Sequence, residues 1–143
     1  MALIANTLNV RANGVTRKLV ASGDVTHADT GAASDDVVLF ELPAGSVITG
    51  THAHITTAYD GTTPTLAIEV LNLDGSDLTS AVVLDADVDA DALGRTSTYD
   101  VMPVATVAAT VVTVKNTVAD STVGAATIDV EYYIQGRSDE NNG

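Results

Sequence analysis

The sequence predicts an all-β domain, an antiparallel β-sandwich or jelly-roll-like barrel with a short N-terminal arm. Three observations carry that expectation. Val, Thr and Ala dominate a 143-residue chain, and its β-branched residues lie in short runs broken by Gly, Pro, Asn and Asp, the composition of many short strands. Several of these runs alternate apolar and polar residues with a period of two, as half-buried strands do. A chain of this length can bury roughly two-thirds of its unfolded surface, so one core suffices. Cys is absent, which removes disulfides, thiolate metal sites and cysteine nucleophiles.

Residues 1–23 form a leader, an N-terminal arm or first hairpin, that contains Arg11, Arg17 and Lys18 and no acid. Its apolar anchors are Leu3, Ile4, Leu8 and Val10. Asn13-Gly14 favours a type I′ hairpin turn, because both central residues of that turn take positive φ; the pair equally suits a flexible arm. Ala28 to Asp36 is a small-residue loop, and Asp35 to Leu42 reads as a strand that stops at Pro43-Ala44-Gly45. Ser46 to Tyr59 is a long strand. It ends in Asp60-Gly61-Thr62-Thr63-Pro64, where Gly serves a positive-φ position and Pro restarts an extended chain.

Thr65 to Leu73 follows as a strand in which Leu66, Ile68 and Val70 alternate with Thr65, Ala67 and Glu69. Near the C-terminus Ile128, Val130, Tyr132 and Ile134 point one way while Asp129, Glu131, Tyr133 and Gln135 point the other. The partner expected for that strand is Val104 to Lys115, joined through Asn116 to Gly124, so that the chain closes in a hairpin. The β domain spans residues 24–135. Residues 136–143 (GRSDENNG) form a polar tail with nothing to bury, expected to be disordered.

A formal charge of −13, from 6 basic and 19 acidic residues, argues against nucleic acid as a partner and against an anionic membrane. No apolar run approaches the roughly 18 residues needed to span a bilayer. Met1 to Val10 has neither the basic leader nor the long apolar core of a signal peptide, so the chain reads as soluble and unprocessed. With no Trp, one Phe and four Tyr, it lacks the rigid aromatic walls of a small-molecule site, and no cofactor or small-molecule substrate is expected. Half of the basic residues sit in the acid-free leader. One reading is a basic arm that grips an acidic partner while the acidic body faces solvent; the other is an ordinary first strand with solvated charges. The acid excess suits high salt, where screening relieves self-repulsion, or an outer surface that keeps particles apart.

Asp85, Asp87, Asp89 and Asp91 alternate in DADVDADALG, and closely spaced carboxylates suit calcium. The likeness to an EF-hand loop fails at Ala90, where Gly is needed, and at Thr96, where a bidentate Glu closes the shell. A solvated acidic loop or short helix is the expectation there. His52 and His54 project from one face of a strand, a spacing found in some metal sites, but a third ligand would have to come from His27 or a distant Asp. The other face carries Val47, Ala53, Ile55 and Tyr59 and reads as core. Gly45-Ser46 lacks the second glycine of a nucleophile elbow, no Gly-rich phosphate loop is present, and no carboxylate pair stands out. The chain reads as a non-enzyme with no metal site.

The order Leu42-Pro43-Ala44-Gly45-Ser46-Val47-Ile48, then Thr56-Thr57-Ala58-Tyr59-Asp60-Gly61-Thr62-Thr63-Pro64-Thr65-Leu66, then an Asp-rich segment and a Val/Thr-rich close in Glu131-Tyr132-Tyr133-Ile134, resembles small β-rich structural proteins of tailed viruses. Among these it looks most like capsid decoration, or cement, proteins, over roughly Val37 to Ile134. The resemblance implies a virion protein on the outer surface of an icosahedral head, with the major capsid protein as partner and a homo-oligomer, a trimer, as its assembled form. Arg11, Arg17 and Lys18 are the capsid-binding candidates. The rivals are an Ig-like adhesin or carbohydrate-binding module, and a tail or head-fibre subunit.

Overall fold

The structure, a computed structural model, describes residues 18–30, 36–98, 104–117 and 121–135. Arg11, Arg17, the Asn13-Gly14 pair and the 136–143 tail lie outside them. The described residues contain no helix and nine strands: β1 (Leu19–Thr26), β2 (Val37–Leu42), β3 (Ser46–Thr57), β4 (Thr65–Asn72), β5 (Asp77–Asp89), β6 (Gly94–Thr98), β7 (Val104–Ala105), β8 (Thr110–Asn116) and β9 (Ala125–Ile134). One antiparallel sheet has the order β1-β9-β3-β6, with β7 continuing the β6 side of β3; the other has the order β2-β8-β4-β5. Apart from β7, the winding is that of an eight-stranded jelly roll. Among the described strands only β4 and β5 form a sequential hairpin within one sheet, and most other connections cross the sandwich.

The core lies between the sheets. Leu42, Ile48, Leu66, Ile68, Leu84, Val112, Val114, Ile128 and Val130 all fall in it, each stabilising the fold by about 1.5–3 kcal/mol relative to an exposed side chain. Strict alternation does not build it. Ile48 and Ala53 are an odd number of residues apart and yet share the core face, because a register shift against β9 between Ile48 and Gly50 inserts one extra residue. A second shift, between Val38 and Phe40, lets Val37, Phe40 and Leu42 turn inward together. Val47 is buried as well, but it stands outside the core cluster that holds Ala53, Ile55 and Tyr59.

The expected closing hairpin is not formed. β8 is an inner strand of one sheet, between β2 and β4, and β9 is an inner strand of the other, between β1 and β3. Their apolar faces, Val112 and Val114 on one and Ile128 and Val130 on the other, both belong to the shared core. The connection between β8 and β9 therefore crosses the sandwich. It is held by Asp60, whose carboxylate accepts from Thr122 N (2.5 Å), Thr122 Oγ1 (2.6 Å) and Val123 N (2.9 Å), while Ser121 Oγ donates to the Asp60 carbonyl at 2.6 Å. Those donors, led by Thr122 Oγ1, hold the Asp60 carboxyl down at about 2, from an ordinary 3.8.

A carboxyl with a depressed folded-state pKa contributes stability that is full above the unfolded value and is lost as pH falls through the folded one. Asp60→Asn is therefore expected to lower the melting temperature at pH 6. The gap to wild type should narrow as pH drops from about 4 towards 2. Thermal melts of both proteins across that window provide the check, and a gap that stays constant would remove Asp60 as the clamp.

The Asp85 to Asp91 segment is neither a loop nor a short helix up to Asp89; it is the last part of strand β5. Leu84 and Val88 are buried in the core, and that burial outweighs the crowding of carboxylates. β5 lies at the edge of its sheet, where charge is tolerated and guards against strand addition. Asp87 N donates to Asp85 Oδ1 at 3.2 Å and Asp91 N to Asp89 Oδ1 at 3.1 Å. The Asp91 carboxyl is pushed up by its hydrogen bond to Asp89 and by that neighbour's charge.

Charge divides unequally between the sheets. The strands of the β2-β8-β4-β5 sheet carry Glu41, Glu69, Asp77, Asp85, Asp87 and Asp89, with Lys115 as their sole basic residue. Lys115 Nζ lies 3.2 Å from Glu69 Oε1, and that contact raises the lysine's pKa, with Asp36 and Asp77 adding to it. Self-repulsion of this kind is screened by salt. The melting temperature is expected to rise as neutral salt goes from low millimolar to about molar; a flat or falling curve would show that repulsion is negligible.

Candidate functional site

The outer face of the β1-β9-β3-β6 sheet gathers titratable side chains of both signs. Period-two alternation sends Val20, Ser22 and Asp24 of β1 outward, and the register sets Ser22 and His52 level with Asp129, and Asp24 and His54 level with Thr127. Lys18 Nζ lies 3.5 Å from Glu131 Oε2, His52 Nε2 lies 3.5 Å from Glu131 Oε1, and Arg95 Nη2 lies 3.6 Å from Asp129 Oδ2. Ser22 Oγ donates to Asp129 Oδ1 at 2.6 Å, and Thr127 Oγ1 to Asp24 Oδ1 at 2.7 Å. Val20, His52, Arg95, Asp129 and Glu131 line an open depression of about 420 Å³. His54 sits beside it with a buried Nδ1 that meets no hydrogen-bond partner.

The face is thus a lattice of ion pairs with long separations, all in contact with solvent. Exposed pairs of this kind are worth about 0.2–1 kcal/mol each, so they can exchange partners with a docking surface at little cost. Among the described residues no three of His, Cys, Asp and Glu are placed to hold a metal ion. His52 and His54 share the outer face, half-buried, whereas His27 lies in the turn after β1 with its backbone N–H donating to Gly124 O. That turn is about five residues further along the sheet and two strands across, roughly 19 Å from His52. A second depression of about 390 Å³ lies at one end of the sandwich between Asn72, Asp77, Leu78, Ala105, Val107, Ala108 and Thr110.

Of the leader cations, Lys18 is described and paired with Glu131. Sequence reasoning missed Arg95, Asp129 and Glu131 as a group. The alternation of β9 announced that Asp129 and Glu131 face outward, but no sequence signal places β1 and β3 on either side of them.

No protein-family model matches the chain, and no curated protein does. Solved structures do. A chain of the cyanophage Pam1 capsid asymmetric unit superposes with a TM-score of 0.62 at 21% identity, over 83% of this chain and 86% of that one. A chain in the capsid of Ralstonia phage GP4 gives 0.60 at 18%, over 84% and 85%. A chain in the acid-stable capsid of Helicobacter pylori bacteriophage KHP30 gives 0.52 at 15%, over 83% and 93%. The jelly-roll sandwich of this protein is a fold that three phage capsids contain.

Proposed function

We propose that this protein is a virion structural protein that binds the outer surface of an icosahedral phage head, decorating and stabilising it. The observation that carries the reading is the extent of the match to chains in the Pam1 and GP4 capsids, 83–84% of this chain against 85–86% of theirs. A match over most of both chains means that the whole jelly roll, and not a single sheet of it, is shared. A small subunit with an open, ion-paired face suits cementing, in which weak contacts are multiplied by symmetry and avidity. The major capsid protein is the partner, a homotrimer the assembled form, and no catalysis is involved. Arg11, Arg17 and Lys18 supply cations for the contact.

The experiment is to purify heads, look for this chain by mass spectrometry, remove it, and compare the thermal rupture of stripped and replenished particles. Stripped heads should rupture at a lower temperature and recover on adding the protein back. Its absence from intact heads, or rupture unaffected by its presence, would overturn the reading.

A further inference from the structure

We propose that the protein's own leader seats Leu3–Val10 in the depression at the end of the sandwich, between Leu78, Ala105, Val107 and Thr110. The contact lies within one chain and stands independently of the capsid reading. The depression, of about 390 Å³, has Leu78, Ala105, Val107 and Ala108 as its apolar lining. Val107 is 97% exposed, so its side chain meets solvent where an apolar partner would fit. Thr110 lines the same depression, is itself buried, and has an Oγ1 that meets no hydrogen-bond partner. A buried hydroxyl left unpaired is costly, and the backbone of an incoming segment brings both a donor and an acceptor.

The register puts the leader within reach. Leu19 pairs with Tyr132, so Lys18 is level with Tyr133; Tyr133 pairs with Val47, and Val47 with Ala105. Lys18 and the edge of the depression thus lie in one row of the sheet, three strand spacings or about 14 Å apart. Five extended residues cover that distance at about 3.3 Å each, so residues 13–17 suffice to cross it and residues 3–10 reach the depression. Over so short a tether the effective concentration is about millimolar, which favours the chain's own leader over that of a second copy.

Composition selects this segment. Residues 2–10 carry no charge and include Leu3, Ile4, Leu8 and Val10. Arg11 follows them, and the described lining holds Asp77, with Asp74 in the adjoining turn, and no basic residue. The depression on the outer face of the β1-β9-β3-β6 sheet offers less, because its carboxylates already face cations, Asp129 with Arg95 and Glu131 with Lys18. Residues 136–143 follow Gln135, whose N–H donates to Gly45 O at the same end of the sandwich. That tail, GRSDENNG, has no apolar side chain to bury and adds two acids.

The chain has no Cys, so engineered pairs report cleanly. Full-length Leu8→Cys/Val107→Cys is compared with Leu8→Cys/Leu93→Cys, whose second site is also exposed, at 68%, but lies between β5 and β6 at the opposite end of the sandwich. Each is oxidised mildly, disulfide-linked monomers and dimers are separated on non-reducing gels, and melting temperatures are measured in parallel. The first pair should close within one chain at least about tenfold faster than the second. Equal rates overturn the proposal, as does a first pair that yields only dimers, which would place the leader on a second copy. If a cysteine variant fails to fold, limited trypsin digestion decides: cleavage after Arg11 should be several-fold faster in Val107→Ser than in wild type, and an unchanged rate overturns the proposal.

Discussion

Gly124→Ala is expected to be among the most destabilising single substitutions in the protein. Gly124 has φ +151° and lies under the ring of Tyr59, where an added Cβ would fall inside contact distance of Cγ, Cδ1 and Cδ2. The ring cannot move away cheaply. Tyr59 is 2% exposed within the core cluster, its N–H donates to Ala90 O at 2.8 Å, and its hydroxyl donates to Val25 O at 3.4 Å. Burial, with a smaller contribution from the charge of Asp29, pushes the phenol up to about 12, so it stays a neutral donor. Overpacking costs about 1–3 kcal/mol, and a side chain forced into a glycine-favouring backbone region adds about 1–3 more. Against a typical stability of about 5–15 kcal/mol, the variant should show a much lower denaturation midpoint. Tyr59→Leu, which removes the ring, should also destabilise. The double variant should then be less damaged than the sum of the two, because one cause is removed twice. Strict additivity in denaturant melts would show that the ring and Gly124 do not meet.

The strands with turn residues at both ends were legible in the sequence. β2 ends at Leu42 before Pro43-Ala44-Gly45, β3 begins at Ser46, and β4 begins at Thr65 just after Pro64. The turn between β3 and β4 uses positive φ at Gly61, as its glycine announces, and again at Thr63, which a β-branched residue gives no reason to expect. The inward face of β9 was legible too, since alternation is a local property. Pairing is not local. Alternation tells which side of a strand is buried and nothing about which strand lies beside it, so β8 and β9 looked like a hairpin although they belong to different sheets. The ionic face of Lys18, His52, Arg95, Asp129 and Glu131 escaped for the same reason, being assembled from four strands distant in sequence. At Asp85 to Asp89 the error was one of weight: the carboxylates dominated the reading, while Leu84 and Val88 decide the conformation.

Removing residues 1–17 should leave a folded body that no longer decorates heads, whereas removing residues 1–22 should cost the fold as well. The basis for the second half is the position of β1, which starts at Leu19 and pairs with β9 from Leu19↔Tyr132 to Thr26↔Ala125. The last residues of the leader as read from sequence, Leu19 to Gly23, are therefore strand. Cutting after Ser22 deletes the pairs to Tyr132, Glu131, Val130 and Asp129 and strips half of β9's outer edge. Each lost backbone hydrogen bond is worth about 0.5–1.5 kcal/mol net, and the half-buried Leu19 adds the loss of its apolar burial. Cutting after Arg17 leaves every one of these pairs and the Lys18–Glu131 contact in place. It removes Arg11 and Arg17, whose separate contributions to docking should be about 0.2–1 kcal/mol each; single alanine variants should thus weaken decoration only mildly. Over many symmetric copies those small losses multiply, so joint removal, or the triple change of Arg11, Arg17 and Lys18 to alanine, should leave particles bare. Circular dichroism melts report the fold and sedimentation with stripped heads reports the binding. Full occupancy by the protein lacking residues 1–17 would take the leader out of the contact and leave the sheet face to account for docking alone, while an unfolded protein after that cut would make the leader part of the domain.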